Sequence, residues 1–489
     1  MRRRMMRVTK ESRARSFVSV AVAFLIPAAI VVAFAIPAAA LRALDQDEGY
    51  YAISAKVVAH GKTPYVSFWF PQAPLMPYVY AGWQKVFHQS WYVLRGLSVL
   101  LTVALGCVLY VHVSRRWASR RLATLAVVLF AATPLGFQWF PTVKTYALTT
   151  ILLFTAYVWA ESSSRWSWFV SGIFVGLAVD ARLLVAPIVI VFLVYARKHA
   201  GQFLVGLALG LVPTVWFFVI GPARFINDTL ASQTTRRNMT LAANAHEKLR
   251  IVARVIVEPH FLFLAAIALV LAVLSIRRRK HLPLSVAIAA TLAITNLVPT
   301  PSYAQYFVTL IPFLVIATIE LVDLLEITSK VIEPRVLAVA ATLLLVPAAW
   351  SLHHTTASNS PRQVADVRAV SRAVDRVTHE NEIVLAFWPG YVYESHARQL
   401  PGLESDFAPA AVDNNRLSPT RAAQYHMVST REIAMAIRSH AVRIIVFGKG
   451  AANRGLRWRD VIVSAGYRPV AELHGATIYA YRQSAGRSA

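Results

Sequence analysis

Three carboxylates stand within four positions, Asp45, Asp47 and Glu48, in a chain with 24 acidic residues among 489. They follow an apolar run at 17–41 that is long enough to cross a bilayer, so they meet water at the end of a membrane segment. A carboxylate in that place can take a proton from a hydroxyl nucleophile, and two together can ligate a hard divalent cation. The same acids would also suit the water-facing start of a helix. Two turns come next, GKTPY at 61–65 and PQAPL at 71–75. Aromatic residues crowd the same loop, among them Tyr50, Tyr51, Tyr65, Phe68, Trp69, Phe70 and Tyr78. Nearly everything else up to about residue 350 is hydrophobic, which makes this stretch the place for chemistry.

The elements that hold these residues are membrane helices. The chain is 57% hydrophobic with a mean hydropathy of +0.51, values of a polytopic membrane protein rather than a soluble enzyme. A net charge of +26 would suit nucleic acid. The basic residues, however, cluster in short loops between apolar runs, where the positive-inside bias puts them, and no nucleic-acid partner is expected. The single cysteine, Cys107, lies within an apolar run; it has no partner for an intramolecular disulfide, and there is no zinc cysteine cluster.

Apolar runs at 17–41, 93–113, 122–140, 144–161, 166–181, 183–196, 202–221, 260–276, 282–300, 304–325 and 335–352 predict eleven transmembrane helices. The fifth and sixth are short and share the Asp180-Ala-Arg182 corner. The first exceeds a signal-peptide core in length and is expected to be retained. With eleven crossings the basic runs near 2–7, 115–121, 197–198 and 277–280 all fall on one side, the cytoplasm. The 42–92 and 222–259 loops and the tail then lie outside. Stretches 48–60 and 74–88 fit helices lying along the outer membrane surface. Beyond about 355 the pattern changes. Segments 382–388 and 442–448 read as buried strands, 364–377 and 430–440 as the helices before them, and 467–481 as a hairpin turning at His474-Gly475. This predicts a membrane domain over 1–354 and an external α/β domain over 355–489.

Basic residues outside the membrane are candidates for binding an anion. Arg236 and Arg237 lie in the outer 222–259 loop near His246, Lys248, Arg250 and Arg254, against the positive-inside bias. Lys62 lies in the first loop. Arg95 is expected to snorkel to the interface. Asp180 and Arg182 are expected to pair structurally, because an unpaired charge in a membrane helix costs about 2.5–3.5 kcal/mol. His353 and His354 read as a membrane-exit turn.

The order of these features resembles one family. Asp47, Glu48 and Tyr51 form a DExxY pattern after the first membrane helix. The GKTPY turn and the proline-rich Gln72-Ala73-Pro74-Leu75 follow, Gly176-Leu177-Ala178 leads into Arg182, and Tyr303 to Pro312 opens a late helix. With the external α/β tail, this resembles GT-C glycosyltransferases of the protein-mannosyltransferase and aminoarabinose-transferase type. The resemblance covers most of the chain and is most specific at 45–80. It implies a polytopic α-helical GT-C fold in the plasma (inner) membrane, with the N-terminus cytoplasmic. It implies a polyprenyl-phosphate-linked sugar as donor and an extracytoplasmic glycan, lipid or protein as acceptor. Asp47 would be the base or would position the acceptor, Glu48 beside it could supply the base as well, and Asp45 would be a second acid. Tyr51, Tyr65, Gln72, Tyr303, Gln305 and Tyr306 would face substrate. Asp45 and Asp47 are the candidate ligands should a divalent metal ion take part; no other cofactor is implied.

The chain departs from that family at two places. The basic or His residue common in the proline-rich turn is replaced, and a phosphate-binding Arg is missing where Tyr303, Gln305 and Tyr306 stand. The donor phosphate is therefore assigned to Arg236, Arg237 and Lys62. Two other classes compete with an enzyme, namely a transporter or lipid-sugar flippase and a non-catalytic envelope scaffold. No paired inverted repeat favours the transporter, and loss of activity on substituting Asp47 in a folded protein would separate the enzyme from both.

Overall fold

The computed structural model describes residues 24–232, 240–278, 281–331, 333–357, 362–448 and 457–481. Apolar helices form a bundle with a small α/β layer at one end. Six stretches have the length and hydropathy of a span, Phe24–Leu41, Trp91–Arg116, Ile188–Gly210, His260–Arg277, Ala304–Leu324 and Pro334–Thr356, although Ile188–Gly210 turns at Arg197 into two helices. Tyr146–Ala160, Ser167–Ala181 and Leu284–Leu297 are shorter apolar helices. The chain is thus a multi-pass membrane protein.

The helices that matter here are α1 (Phe24–Leu41), α2 (Gln46–Ala59), α3 (Leu75–Phe87), α4 (Trp91–Arg116), α5 (Arg120–Ala132), α6 (Pro134–Trp139), α7 (Tyr146–Ala160), α8 (Ser167–Ala181), α9 (Ile188–Ala196), α10 (Ala200–Gly210) and α11 (Val212–Ile220). The later ones are α12 (Leu241–Ile256), α13 (Pro259–Arg277), α14 (Leu284–Leu297), α15 (Ile311–Leu324) and α16 (Pro334–Thr356). Two expected spans are broken at prolines. The run at 122–140 splits into α5 and α6 at Pro134, and the run at 202–221 into α10 and α11 at Pro213, each near a fresh helix start. A proline has no amide to continue the ladder, but the first turn of a helix needs none there.

Helices α8 and α10 lock together through glycines. A Cβ placed on Gly172 would lie 2.2 Å from Phe203 O, on Gly176 2.6 Å from Leu207 O, on Gly206 2.0 Å from Phe169 O, and on Gly210 2.3 Å from Ile173 O. Only glycine lets the backbones approach this closely, the small-xxx-small device of membrane helix pairs. The contacts advance in the same direction along both helices, so α8 and α10 run parallel. Parallel neighbours need a return between them, and α9 supplies it. Arg197, with φ at +42°, ends α9 and starts the turn into α10.

The loop after α1 folds as two helices, α2 and α3, close in bounds to the stretches 48–60 and 74–88 read from the sequence. Asp45 is the N-cap of α2 and forms a capping box with Glu48. The tail forms a five-stranded sheet in the order β2-β1-β3-β5-β4, from β1 (Ile383–Ala386), β2 (Arg398–Gln399), β3 (Ile444–Gly448), β4 (Arg468–Leu473) and β5 (Ala476–Ala480). Strand β1 is parallel to β2 and β3, whereas β5 is antiparallel to β3 and β4. The hairpin turns at His474-Gly475, both with positive φ, as a two-residue loop requires.

The sheet and the α2–α3 loop share one apolar core. Tyr50, Ile53, Phe70, Tyr80 and Trp91 pack in the same cluster as Val367, Val384, Trp388 and Ile478. The closest approach is at Gly49, where a Cβ would lie 2.5 Å from Trp388 Nε1 and 3.1 Å from Gly390 N. Trp388 Nε1 donates to Gln46 O (2.8 Å), and the half-buried Lys56 donates to the carbonyls of Val392, Ser395 and Ala397 at 2.9, 2.6 and 3.2 Å. The acidic start of α2 is thereby fixed between the helix bundle and the sheet.

Candidate active site

The neighbours Asp47 and Glu48 point to different surroundings, because successive helical residues differ by about 100° around the axis. Glu48 turns inward and is fully buried. Its Oε1 accepts from Arg95 Nε (2.9 Å) and Val143 N (2.9 Å), and its Oε2 from Arg95 Nη2 (2.7 Å) and Asp45 N (2.8 Å). Burial alone would push the carboxyl up, but the Arg95 charge and these hydrogen bonds hold it below its ordinary range. With every lone pair engaged, Glu48 has no place for a substrate proton. The expectation that Glu48 supplies a base does not fit these contacts, which make it an anchor of the motif. Arg95 does not snorkel either. It is 1% exposed and donates further to Ala39 O, Arg42 O and Ala43 O, the C-terminal carbonyls after α1.

Asp47 turns the other way. Its Oδ2 accepts from Lys144 Nζ at 2.9 Å, and Asp45 Oδ1 lies 2.6 Å from the same ammonium. Asp47 Oδ1 takes no hydrogen bond among the described residues, and the side chain is about one-third exposed. Lys144 is buried on the short connection between α6 and α7. That connection is tied to α2 through Val143 N and to α4 through Ser98 Oγ, which donates to Thr142 O at 2.8 Å. Burial disfavours the Lys144 charge, but Asp47 and Asp45 hold it protonated far above neutrality. Tyr51, one turn on from Asp47, is buried beside the cluster. Desolvation, with the Asp47 charge adding to it, pushes its phenol up to about 12, so it is a neutral hydroxyl.

A second cation continues the row. The buried Arg182 guanidinium stacks over Tyr146 (4.9 Å) and Tyr306 (4.6 Å), and Nη1 donates to Thr145 Oγ1 at 3.2 Å. Its Nε has no hydrogen-bond partner among the described residues. The expected pairing with Asp180 does not form; Asp180 accepts from Thr214 Oγ1 instead. Arg42 lies over Trp139 at 4.0 Å, with Nη1 buried and unpartnered. In this cluster four cations (Arg42, Arg95, Lys144 and Arg182) face three carboxylates (Asp45, Asp47 and Glu48), leaving an excess positive charge.

Arg182 forms part of the wall of a mostly apolar cavity of about 510 Å³. The Pro71-Gln72-Ala73 turn, the α8–α9 corner at Leu183 and Pro187, Thr229-Leu230, and the 295–306 region with Tyr306 complete it. Gln72, Tyr306 and Tyr51 are therefore brought to the site. Tyr303 meets Tyr306 edge-to-face at 5.6 Å and is 37% exposed, and Gln305 lies beside it, partly buried. Tyr65 is not at the site. Its hydroxyl donates to Gln72 O (2.5 Å) and its ring packs against Phe217 and Phe225, so it is a brace for the turn. Lys62 is not there either. It pairs with Glu404 at 3.5 Å on the wall of a separate polar cavity of about 630 Å³, past the far end of α2. Arg236 and Arg237 lie outside the described residues. Lys144 and Arg42 were missed as functional residues, yet the sequence carried a signal for both. They and Arg182 are basic residues at helix ends on the outer side of the expected topology, where the positive-inside bias disfavours them.

The geometry can be set beside known proteins. A family profile described as dolichyl-phosphate-mannose-protein mannosyltransferase matches residues 71–220, the segment that holds Gln72, Arg95, Lys144 and Arg182. Two solved structures share the fold across nearly the whole chain. ArnT from Cupriavidus metallidurans bound to undecaprenyl phosphate aligns with a TM-score of 0.64 at 14% identity, covering 96% of this chain and 98% of that one. The apo state of the same protein gives 0.62 at 14% identity with the same coverage. No protein with a curated description matches in sequence. A segment similar to the mannosyltransferase family thus lies within a fold shared with ArnT, and the two findings together point to a membrane glycosyltransferase of the GT-C type.

Proposed function

We propose that the chain moves a sugar from a polyprenyl-phosphate carrier to a hydroxyl of an extracytoplasmic glycan, lipid or protein. One observation carries this reading: a partly exposed carboxylate and a row of cations meet at Lys144. The ammonium holds Asp47 and stands next to Tyr146, on whose ring Arg182 also lies. The acceptor hydroxyl donates to Asp47 Oδ1. Its oxygen attacks the anomeric carbon while the bond from that carbon to the phosphate oxygen breaks. The proton passes to Asp47, and the electron pair leaves with the phosphate. Lys144 and Arg182 meet the charge that develops there, and fixed cations in a site shielded from water need no reorganisation to do so. The cavity beside Arg182 has an apolar lining that suits the first isoprene units of the carrier, and undecaprenyl phosphate is what the structurally similar ArnT binds.

The donor set does not fit a metal. A divalent ion between Asp45 and Asp47 would have to displace the Lys144 ammonium, which bonds to both. The test is Asp47→Asn, which keeps the shape and removes the charge. Transfer from a lipid-linked sugar donor is expected to fall by at least about 10²-fold, the lower end for losing a general base, with carrier binding little changed. Near-normal transfer would end the assignment of Asp47 as base. Loss of carrier binding instead would make Asp47 a positioning group.

A further inference from the structure

Helix α12 carries three distinct faces. Ile251 and Val255 are buried against the protein. Leu241, Leu249 and Ile256 form an apolar row that is 87%, 70% and 44% exposed. His246, Arg250 and Arg254, spaced four apart, line up on the third face and are exposed. Among the described residues none of the three makes an ion pair. Only Val257 and Glu258 separate α12 from α13, whose length and hydropathy fit a membrane span. Two residues cannot carry the chain far, so α12 lies at the bilayer boundary. Val257 and, one turn into α13, Phe263 extend the exposed apolar surface at 77% and 51%. An apolar row beside a basic row is the pattern of a helix lying in the headgroup plane. Guanidinium groups there match the fork of phosphate oxygens.

From this placement we infer that α12 is a binding site for anionic phospholipid headgroups, with Arg250 and Arg254 taking the phosphates and the apolar row lying among the acyl chains. Its protein-facing side reaches the cavity. Lys248 Nζ donates to Pro299 O and to Ser302 Oγ (2.7 Å), and Thr300 Oγ1 donates to Asn244 Oδ1 (3.2 Å). Pro299 and Thr300 line the 510 Å³ cavity. Lipid held on one face of α12 therefore fixes a loop that walls the cavity on the other. The lipid site itself does not depend on the donor reading of that cavity.

The full chain would be placed in nanodiscs of equal parts phosphatidylglycerol and phosphatidylethanolamine, and the lipids retained after extraction counted by native mass spectrometry. Wild type is expected to retain phosphatidylglycerol preferentially. The preference should drop about five-fold for each arginine changed to glutamine, as expected for one basic residue near an anionic surface. Arg250→Lys with Arg254→Lys should keep it, and excess inorganic phosphate should leave the bound lipid in place. An unchanged preference in the double glutamine variant would overturn the proposal, and so would displacement by free phosphate. Because the readout is bound lipid, it stands apart from any loss of sugar transfer.

Discussion

Adjacent side chains in the acidic motif divide the work. Glu48 is saturated and buried, whereas Asp47 is about one-third exposed and keeps one oxygen without a hydrogen bond among the described residues. Removing one member of a buried ion pair leaves the other charge uncompensated, at a cost of about 3–5 kcal/mol. Glu48→Gln is therefore expected to lower the unfolding temperature markedly at neutral pH, with Arg95 left stranded. The pH dependence follows from the sign of the shift. The folded Glu48 carboxyl is held below its ordinary value, so its contribution is present above about pH 4.3 and fades only as the pH falls through the lower, folded value. Thermal unfolding from pH 7 downward should show a constant gap between wild type and variant until the ordinary carboxylate range is passed. A gap that closes between pH 7 and 5 would contradict the buried pair. Lys144→Gln tests the other side of the site. Losing a charged hydrogen bond is worth about 1.5–3 kcal/mol, so affinity for free polyprenyl phosphate should drop roughly 10- to 100-fold, measured by titration. Unchanged affinity would remove Lys144 from the phosphate site.

At the scale of elements, the α8–α10 contact is decisive because it fixes the path of α9. Four glycines bring backbone onto backbone, and no side chain can withdraw to make room. Gly206→Val should destabilise the protein beyond the usual 0.5–3 kcal/mol range of point substitutions, seen as loss of monodisperse protein on size exclusion. Gly201→Ala, where a Cβ meets open space, is the neutral control. If Gly206→Val is also tolerated, the parallel packing of these helices is wrong. The other critical joint is α2 against the sheet. Lys56 closes it with three carbonyl hydrogen bonds and Gly49 allows the approach, so the sheet both roofs the outer loop and holds Asp47 in position.

For the whole molecule the open structural question is direction in the membrane. We propose that the N-terminus is cytoplasmic and the α/β tail external, because the basic loops then share the inner side. Reporter fusions after Lys280 and after Ala357 should read cytoplasm and exterior respectively. The same side for both would defeat the eleven-crossing topology and the placement of the tail outside.

The sequence alone determined the class of molecule, because apolar runs of bilayer length leave a chain few alternatives. It also determined α2, α3, the hairpin at His474-Gly475 and the acidic motif, all of which depend on local signals such as caps, turns and periodicity. What it could not decide was which charges meet. Lys144 lies 97 positions from Asp47 along the chain, and the ties of Val143 to Glu48 and of Thr142 to Ser98 bring it there. Lys62 lies close to the motif in sequence, yet α2 carries it away, and Tyr65 was spent on bracing a turn. Arg182 left its near neighbour Asp180 because two aromatic rings and Thr145 face it in the folded bundle. Local rules place single elements; the partner of a buried charge is settled only when separate helices close around it and exclude water.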